Sequence, residues 1–152
     1  MKGERMTLQE MIDLLNHDIR REYAHWHFYM QAAVMVRGLH REELSELFLE
    51  EAKGEMEHIE EFGRLIMGLG GVPATTPANF KNNLTDPKDL IAEAIKMEEE
   101  VVENYVQRQD DAQELERNGG IDKIHGRRID VFLDDQILDS RQAVDNFKEM
   151  LK

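Results

Sequence analysis

This chain predicts an all-α fold, a four-helix bundle with one long crossover between its second and third helices. Three observations carry that expectation. Apolar residues recur in four long stretches with alternating spacings of three and four. All three prolines (Pro73, Pro77, Pro87) are confined to one short segment. Titratable residues, Glu22, Glu55, His58 and Glu98, stand inside the apolar stripes where a core would form. The 152 residues fit one domain, 1–152, able to bury a real core.

The first helix is expected over about 7–37. Thr7-x-x-Glu10 reads as a capping box at its start, and its stripe is Leu15, Ile19, Glu22, Trp26, Tyr29, Ala33 and Val36. The second, about 41–69, runs on Leu44, Phe48, Glu51, Glu55, His58, Phe62, Leu65 and Leu69 until Gly68, Gly70 and Gly71 stop it. Residues 70–86 form the crossover loop. A loop that long needs a reason, and crossing the length of a bundle so that helices two and three run parallel supplies one.

Asp86-Pro87 reads as an N-cap followed by proline at the first helical position, opening a third helix over 87–117. Its stripe is Ile91, Ile95, Glu98, Val102, Tyr105, Gln109 and Ala112, and Asn118-Gly-Gly ends it. The fourth helix, 124–151, carries Ile129, Leu133, Gln136, Ser140, Ala143 or Val144, Phe147 and Leu151. The sequence finishes directly afterwards at Lys152, so no fifth helix is expected.

Composition narrows the function. Nineteen basic against thirty-two acidic residues leave a net charge of −13, a surface that repels nucleic acid phosphates and attracts cations. With no cysteine, disulfides, thiolate nucleophiles and Cys-ligated metal sites are excluded. No membrane span and no signal peptide pattern is present, so a cytoplasmic location is the default expectation.

A carboxylate in a would-be core is costly unless something pairs with it. Three carboxylates and an imidazole converging there point to a bound metal, and this donor set suits Fe(II), Mn(II) and Zn(II). Glu55 and Glu98, from different helices, are expected to bridge two ions, with Glu22 and His58 as terminal ligands. An internal repeat accompanies them: Tyr29 follows Glu22, and Tyr105 follows Glu98, by seven residues. That spacing is only about 20° short of two full turns, so each tyrosine shares a face with its glutamate and could hydrogen-bond at the site or accept an electron.

Three glutamates supply −3 against +4 for two divalent ions. At the matching level helix four offers only Ser140 and Ala143, with Gln136 one turn earlier and Asp139 at the edge. One firm metal position and one weak one are therefore expected, Ser140 and Gln136 forming a water-mediated shell around the weaker ion. Asp134, Asp135 and Asp139 read as a solvated face, although Asp139 is the nearest substitute for a fourth carboxylate. Glu51 reads as a polar bundle end rather than a ligand. His25 could ligate, but Trp26 competes for the inward direction, so His25 and His27 are expected at the surface or an interface. Trp26, Tyr29 and the methionines on the stripes are expected in the core. The bland alternative is a dead site neutralised by Arg20, Arg21 or Lys96.

Over nearly its whole length the chain resembles the ferritin superfamily, through Glu22 with Tyr29, Glu55-x-x-His58, the long crossover, and Glu98 with Tyr105. The stretch around Glu55-Met56-Glu-His58 is most similar to bacterioferritin. There helix four carries a second Glu-x-x-His, whereas here the positions read Ser140-x-x-Ala143; ferritins with Gln on that helix are closer on this point. The resemblance implies a ferritin-like bundle that oxidises Fe(II) with dioxygen or peroxide at a carboxylate-bridged di-iron centre, and storage of iron in a hollow shell. It also implies a homo-oligomer, a dimer at least. Met56 stands where bacterioferritins place a haem-ligating methionine, but a methionine beside a core stripe is ordinarily packing or interface filler, and haem is not expected. Other readings are a rubrerythrin-like or manganese catalase-like peroxide-reducing enzyme, a DNA-protecting mini-ferritin, or a non-catalytic structural bundle. Neither nucleic acid nor membrane is an expected partner.

Overall fold

The computed structural model describes residues 5–152; residues 1–4 of the expected domain lie outside the described residues. Four helices follow one another, α1 Leu8–Met35, α2 Arg41–Gly68, α3 Pro87–Arg117 and α4 Lys123–Met150, and no strand occurs among the described residues. Each boundary lies within two residues of its expected place.

Local chemistry sets the ends. Thr7 accepts from the Glu10 backbone N–H at 3.1 Å while the Glu10 carboxylate accepts from the Thr7 N–H at 2.9 Å, which completes the capping box. Asp86 accepts from the N–H groups of Lys88 and Asp89, with Pro87 at the first helical position. Asp122 accepts from the His125 N–H at 2.8 Å to open α4. Beyond α2 the chain turns through Gly70 at φ +94°, which a residue with a Cβ rarely adopts.

Cross-helix bonds give the topology. Ser45 Oγ donates to the Ala33 carbonyl and His58 meets Glu22, so α1 and α2 are antiparallel. Tyr29 meets Glu98 and Tyr105 meets Glu22, so α3 is antiparallel to α1 and hence parallel to α2. Gln109 bonds to Asp130 and Asp134 while Lys148 reaches Glu99, which sets α4 antiparallel to α3. Helices α1 and α2 pack closely, as do α3 and α4, while α1 meets α3 over a smaller contact.

The crossover runs along α1. Asn16 bonds to the backbone of Val72 and Ala74, Arg20 to that of Thr76 and Ala78, and the Arg37 N–H to the Thr85 carbonyl, while Phe80 stacks on His27. These bonds satisfy backbone groups that a long loop would otherwise leave to water.

Two apolar clusters fill the bundle. One gathers Leu15, Ile19, Phe62, Leu65, Leu115, Ile129 and Leu133; the other gathers Phe28, Ala32, Phe48, Ile91, Ala94 and Phe147. Glu22, Glu55 and Glu98 lie between them, in a polar layer at mid-height.

Two inward faces differ from those expected. On α3 Arg108 is buried and Gln109 half-buried. Arg108 pairs with Asp18 of α1 through Nε at 2.7 Å and Nη2 at 2.9 Å, a bidentate ion pair that Asn104 supports at 3.2 Å. On α1 His25 is buried and Trp26 only partly so. They lie about 60° to one side and 40° to the other of Glu22. The buried face has turned by then towards His25, Phe28 and Ala32, the drift a helix shows against a seven-residue repeat.

Candidate metal centre

Helix α1 brings Glu22 and His25 into the polar layer, α2 brings Glu55 and His58, and α3 brings Glu98. Glu22, His25 and Glu98 are each 2% exposed and Glu55 is 5% exposed. Such burial would be prohibitive for unpaired ionised carboxylates, and the pairs present are specific.

The tyrosines hold the outer glutamates, each across the bundle. Tyr29 of α1 donates to Glu98 Oε2 of α3 at 2.7 Å, and Tyr105 of α3 donates to Glu22 Oε2 of α1 at 2.6 Å. Burial raises both phenols well above their usual range, and the adjacent carboxylates raise them further, so they remain protonated donors.

His58 Nδ1 lies 3.1 Å from Glu22 Oε1 and 3.7 Å from Glu55 Oε1, while Nε2 lies 3.2 Å from Asp139 Oδ2. Burial disfavours the charged ring, but the hydrogen bond to Glu22 and the adjacent Glu55 carboxylate outweigh it and push His58 up to about 12. Asp139 is 67% exposed and orients the far nitrogen of His58 instead of supplying a fourth carboxylate to the centre. Burial raises the Glu22 carboxyl, yet the bond from His58 and the charges of His25 and His58 overcome this and hold it below its usual range. Glu55 goes the other way: burial, then the charges of Glu22 and Glu98, push it well above.

His25 corrects the expectation of a surface position. Its Nδ1 lies 3.6 Å from Glu98 Oε2 and 3.9 Å from Glu55 Oε2, too far for hydrogen bonds. Burial lowers its pKa, but Glu98, Glu55 and Glu22 dominate and raise it to about 9. Among the described residues His25 Nδ1 and Glu55 Oε2 have no hydrogen-bond partner. The signal for His25 was in the sequence, since Glu22-x-x-His25 repeats the spacing of Glu55-x-x-His58.

A cleft of about 200 Å³ opens onto this layer, lined among others by Glu51, Glu55, His58, Glu98, Asp139 and Ser140. Glu51 is half-buried in its wall rather than at a bundle end; burial and then Glu98 push it up to about 7. Ser140 and Ala143 leave the α4 side without a charged donor, and Gln136 is buried with its Oε1 unpartnered. Met56 faces outward from α2, 55% exposed and away from the cleft. Met30 and Met67 are exposed as well, while Met11 and Met97 are in the core. Of the cations expected to neutralise a dead site, Arg20 binds the crossover, Arg21 pairs with Glu100, and Lys96 lines the cavity that His25 borders.

Donor chemistry fits a divalent metal. Glu22, His25 and Glu55 each offer a ligand atom within 4.8 Å of the others. Of the buried atoms without a partner, His25 Nδ1 and Glu55 Oε2 are a nitrogen and a carboxylate oxygen, the types such an ion takes.

Fold and centre together define a four-helix-bundle protein with a buried carboxylate–histidine site. A family profile described as a ferritin-like domain matches residues 12–152, and the chain belongs to that family. It is similar to a ferritin-like diiron-carboxylate protein from Bacillus anthracis str. Ames, at 26% identity and a TM-score of 0.83 over 95% of this chain and 97% of the other. A dodecameric thioferritin, the bacterioferritin-related protein from Bacteroides fragilis, has the same fold at 20% identity and a TM-score of 0.77, covering 97% and 87%. So does the Desulfovibrio desulfuricans bacterioferritin, at 21% and 0.77, covering 94% and 78%. No curated protein matches the chain. No helix among the described residues is long and apolar enough to cross a membrane.

Proposed function

We propose that this protein binds Fe(II) at Glu22, Glu55, His58 and Glu98 and oxidises it with dioxygen or peroxide. The observation that carries this reading is the gathering of three buried carboxylates from three helices, Glu22, Glu55 and Glu98, in one layer with His58, beside a cleft that admits small ions. Glu22 and His58 hold one ion, Glu55 reaches towards both, and Glu98 serves the far side. Tyr105 and Tyr29 fix the two outer carboxylates. Fixed donors and low dielectric favour the higher charge of the oxidised product.

The electron balance is simple. Two Fe(II) lose one electron each and become Fe(III). Peroxide accepts the pair, takes up two protons and leaves as two waters; dioxygen accepts the pair with two protons and leaves as hydrogen peroxide. Ser140 and Asp139, at the wall of the cleft, border the path for water and protons. The acidic surface, net −13, raises the local concentration of Fe(II).

A homo-oligomer, of dimer size or larger, belongs to the same proposal and extends to iron storage if a shell closes. The dodecameric relative from Bacteroides fragilis supports it, as do Met30, Val34 and Met56, exposed on α1 and α2.

The test is an anaerobic Fe(II) titration of the metal-free protein, followed by dioxygen or peroxide with absorbance recorded. Two irons per chain and a ferric-oxo band support the reading. No iron bound, or bound iron that neither oxidant changes faster than free iron, overturns it. Manganese bound in preference, with peroxide as the only substrate, moves the protein to the peroxide-reducing class.

A further inference from the structure

We infer that His25 is a metal ligand, the second imidazole of the centre, displaced from its expected place on α4 to α1. This rests on the metal-binding reading above and goes beyond it by rebuilding the weak position from different donors.

The geometry divides the centre into two halves that share Glu55. Glu55 Oε1 faces His58 Nδ1 at 3.7 Å, and Glu55 Oε2 faces His25 Nδ1 at 3.9 Å. Each half then has its own outer carboxylate: Glu22 Oε1 lies 3.1 Å from His58 Nδ1, and Glu98 Oε2 lies 3.6 Å from His25 Nδ1. Each outer carboxylate has its own tyrosine, Tyr105 on Glu22 and Tyr29 on Glu98. One half is thus His58, Glu22 and Glu55 Oε1; the other is His25, Glu98 and Glu55 Oε2. Glu55 alone presents its two oxygens to different imidazoles, which makes it the bridge and Glu98 a terminal ligand.

The second half contains two of the four buried atoms left without partners among the described residues, the others being Trp26 Nε1 and Gln136 Oε1. His25 Nδ1 and Glu55 Oε2 are buried, face each other and make no hydrogen bond. Buried polar atoms are rarely left so, and an ion between them would satisfy both at once. On α4 Ser140 and Ala143 are too short to contribute a strong donor there, and His25 offers this half its imidazole nitrogen.

The same ring borders a cavity of about 340 Å³ between α1, α3 and the crossover, lined also by Arg21, Phe80, Lys81 and Met97. An imidazole-sized molecule has room there, and this permits a rescue experiment. Co(II) titration of the metal-free wild type under anaerobic conditions should show two ions per chain. His25→Ala should keep its circular dichroism and its first Co(II). It should lose the second, with affinity weakened beyond the roughly 10–100-fold that an outer-sphere partner costs. Free imidazole should restore the second ion.

Two Co(II) per chain in His25→Ala at undiminished affinity overturns the proposal and leaves the iron-oxidising reading standing. So does a wild type that stops at one ion and is unaffected by the substitution. A wild type that binds neither Co(II) nor Fe(II) overturns both. If His25→Ala does not fold, the wild type decides: Co(II)-loaded protein should show two hyperfine-shifted, solvent-exchangeable imidazole N–H resonances, and a single one overturns the assignment.

Discussion

Tyr29 and Glu98 face each other across the α1–α3 contact, phenol donating to carboxylate at 2.7 Å, and Tyr105 and Glu22 repeat the arrangement in the opposite direction at 2.6 Å. A tyrosine seven residues beyond a glutamate on one helix is about 10 Å further along the axis. It cannot reach its own glutamate. In an antiparallel neighbour with the same spacing each tyrosine arrives opposite the other's glutamate, so the repeat forms two crossed braces.

Loss of a brace should be felt in metal affinity and in stability. Tyr29→Phe leaves a buried Glu98 oxygen without its donor, a cost of about 1–3 kcal/mol to the metal-free fold. Affinity at the Glu98 side should fall roughly 10–100-fold. Urea unfolding and a Mn(II) titration read the two effects, and Tyr105→Phe should move the Glu22 side instead.

Glu55 reaches both halves of the centre, so Glu55→Ala should remove metal binding at both, while Ser140→Ala should alter only the side facing α4. Equal loss from the two variants, measured as metal per chain, would refute that asymmetry. Because burial and its neighbours push the Glu55 carboxyl well above its usual range, Glu55→Gln should leave the metal-free protein at least as stable as the wild type. A lower melting temperature would contradict this.

Metal uptake should release protons. His25 is raised from 6.5 to about 9 and His58 to about 12, so both rings carry a proton at neutral pH in the metal-free protein. An ion takes a neutral imidazole, so affinity should climb between pH 6 and 9. Calorimetry in buffers of different ionisation enthalpy counts the protons. The sign for stability is opposite: a raised histidine stabilises the metal-free fold fully below about 6.5, and that contribution fades as pH rises through 9. Unfolding midpoints at pH 6 and pH 10 test it.

The Asp18–Arg108 pair should matter to the fold alone. Both side chains are nearly inaccessible, and Arg108 also reaches Asp111 at 2.7 Å. Arg108→Ala strands a buried carboxylate and should cost about 3–5 kcal/mol. Asp18→Asn combined with Arg108→Leu should recover much of it. Denaturant midpoints decide, with metal stoichiometry unchanged in whichever variants fold.

Helix ends were legible because Thr7, Glu10 and Asp86 signal caps through local chemistry that needs no tertiary contact. Glu22, Glu55 and Glu98 stood out because charge inside an apolar stripe is costly on any packing. What periodicity could not settle was a choice within one turn. His25 and Trp26 flank the inward direction almost equally, and the larger apolar ring looked the better core residue. The orientation of α1 against α3 decided for His25. Arg108 and Gln109 pose the same problem on α3, resolved by Asp18 across the contact, a partner ninety positions away that no local pattern indicates. Asp139 was visible as the nearest carboxylate on α4, but its link to the outer nitrogen of His58 depends on how α2 and α4 meet.

The crossover gives the molecule a back and a front. Its bonds to Asn16, Arg20 and Arg37 wrap one flank along α1, while the acidic cleft opens on the opposite flank between α2 and α4. That cleft is the opening onto the carboxylates of the centre on the flank away from the crossover. In the proposed assembly, the side on which that cleft is placed decides whether iron is drawn from the surroundings or passed to an enclosed interior.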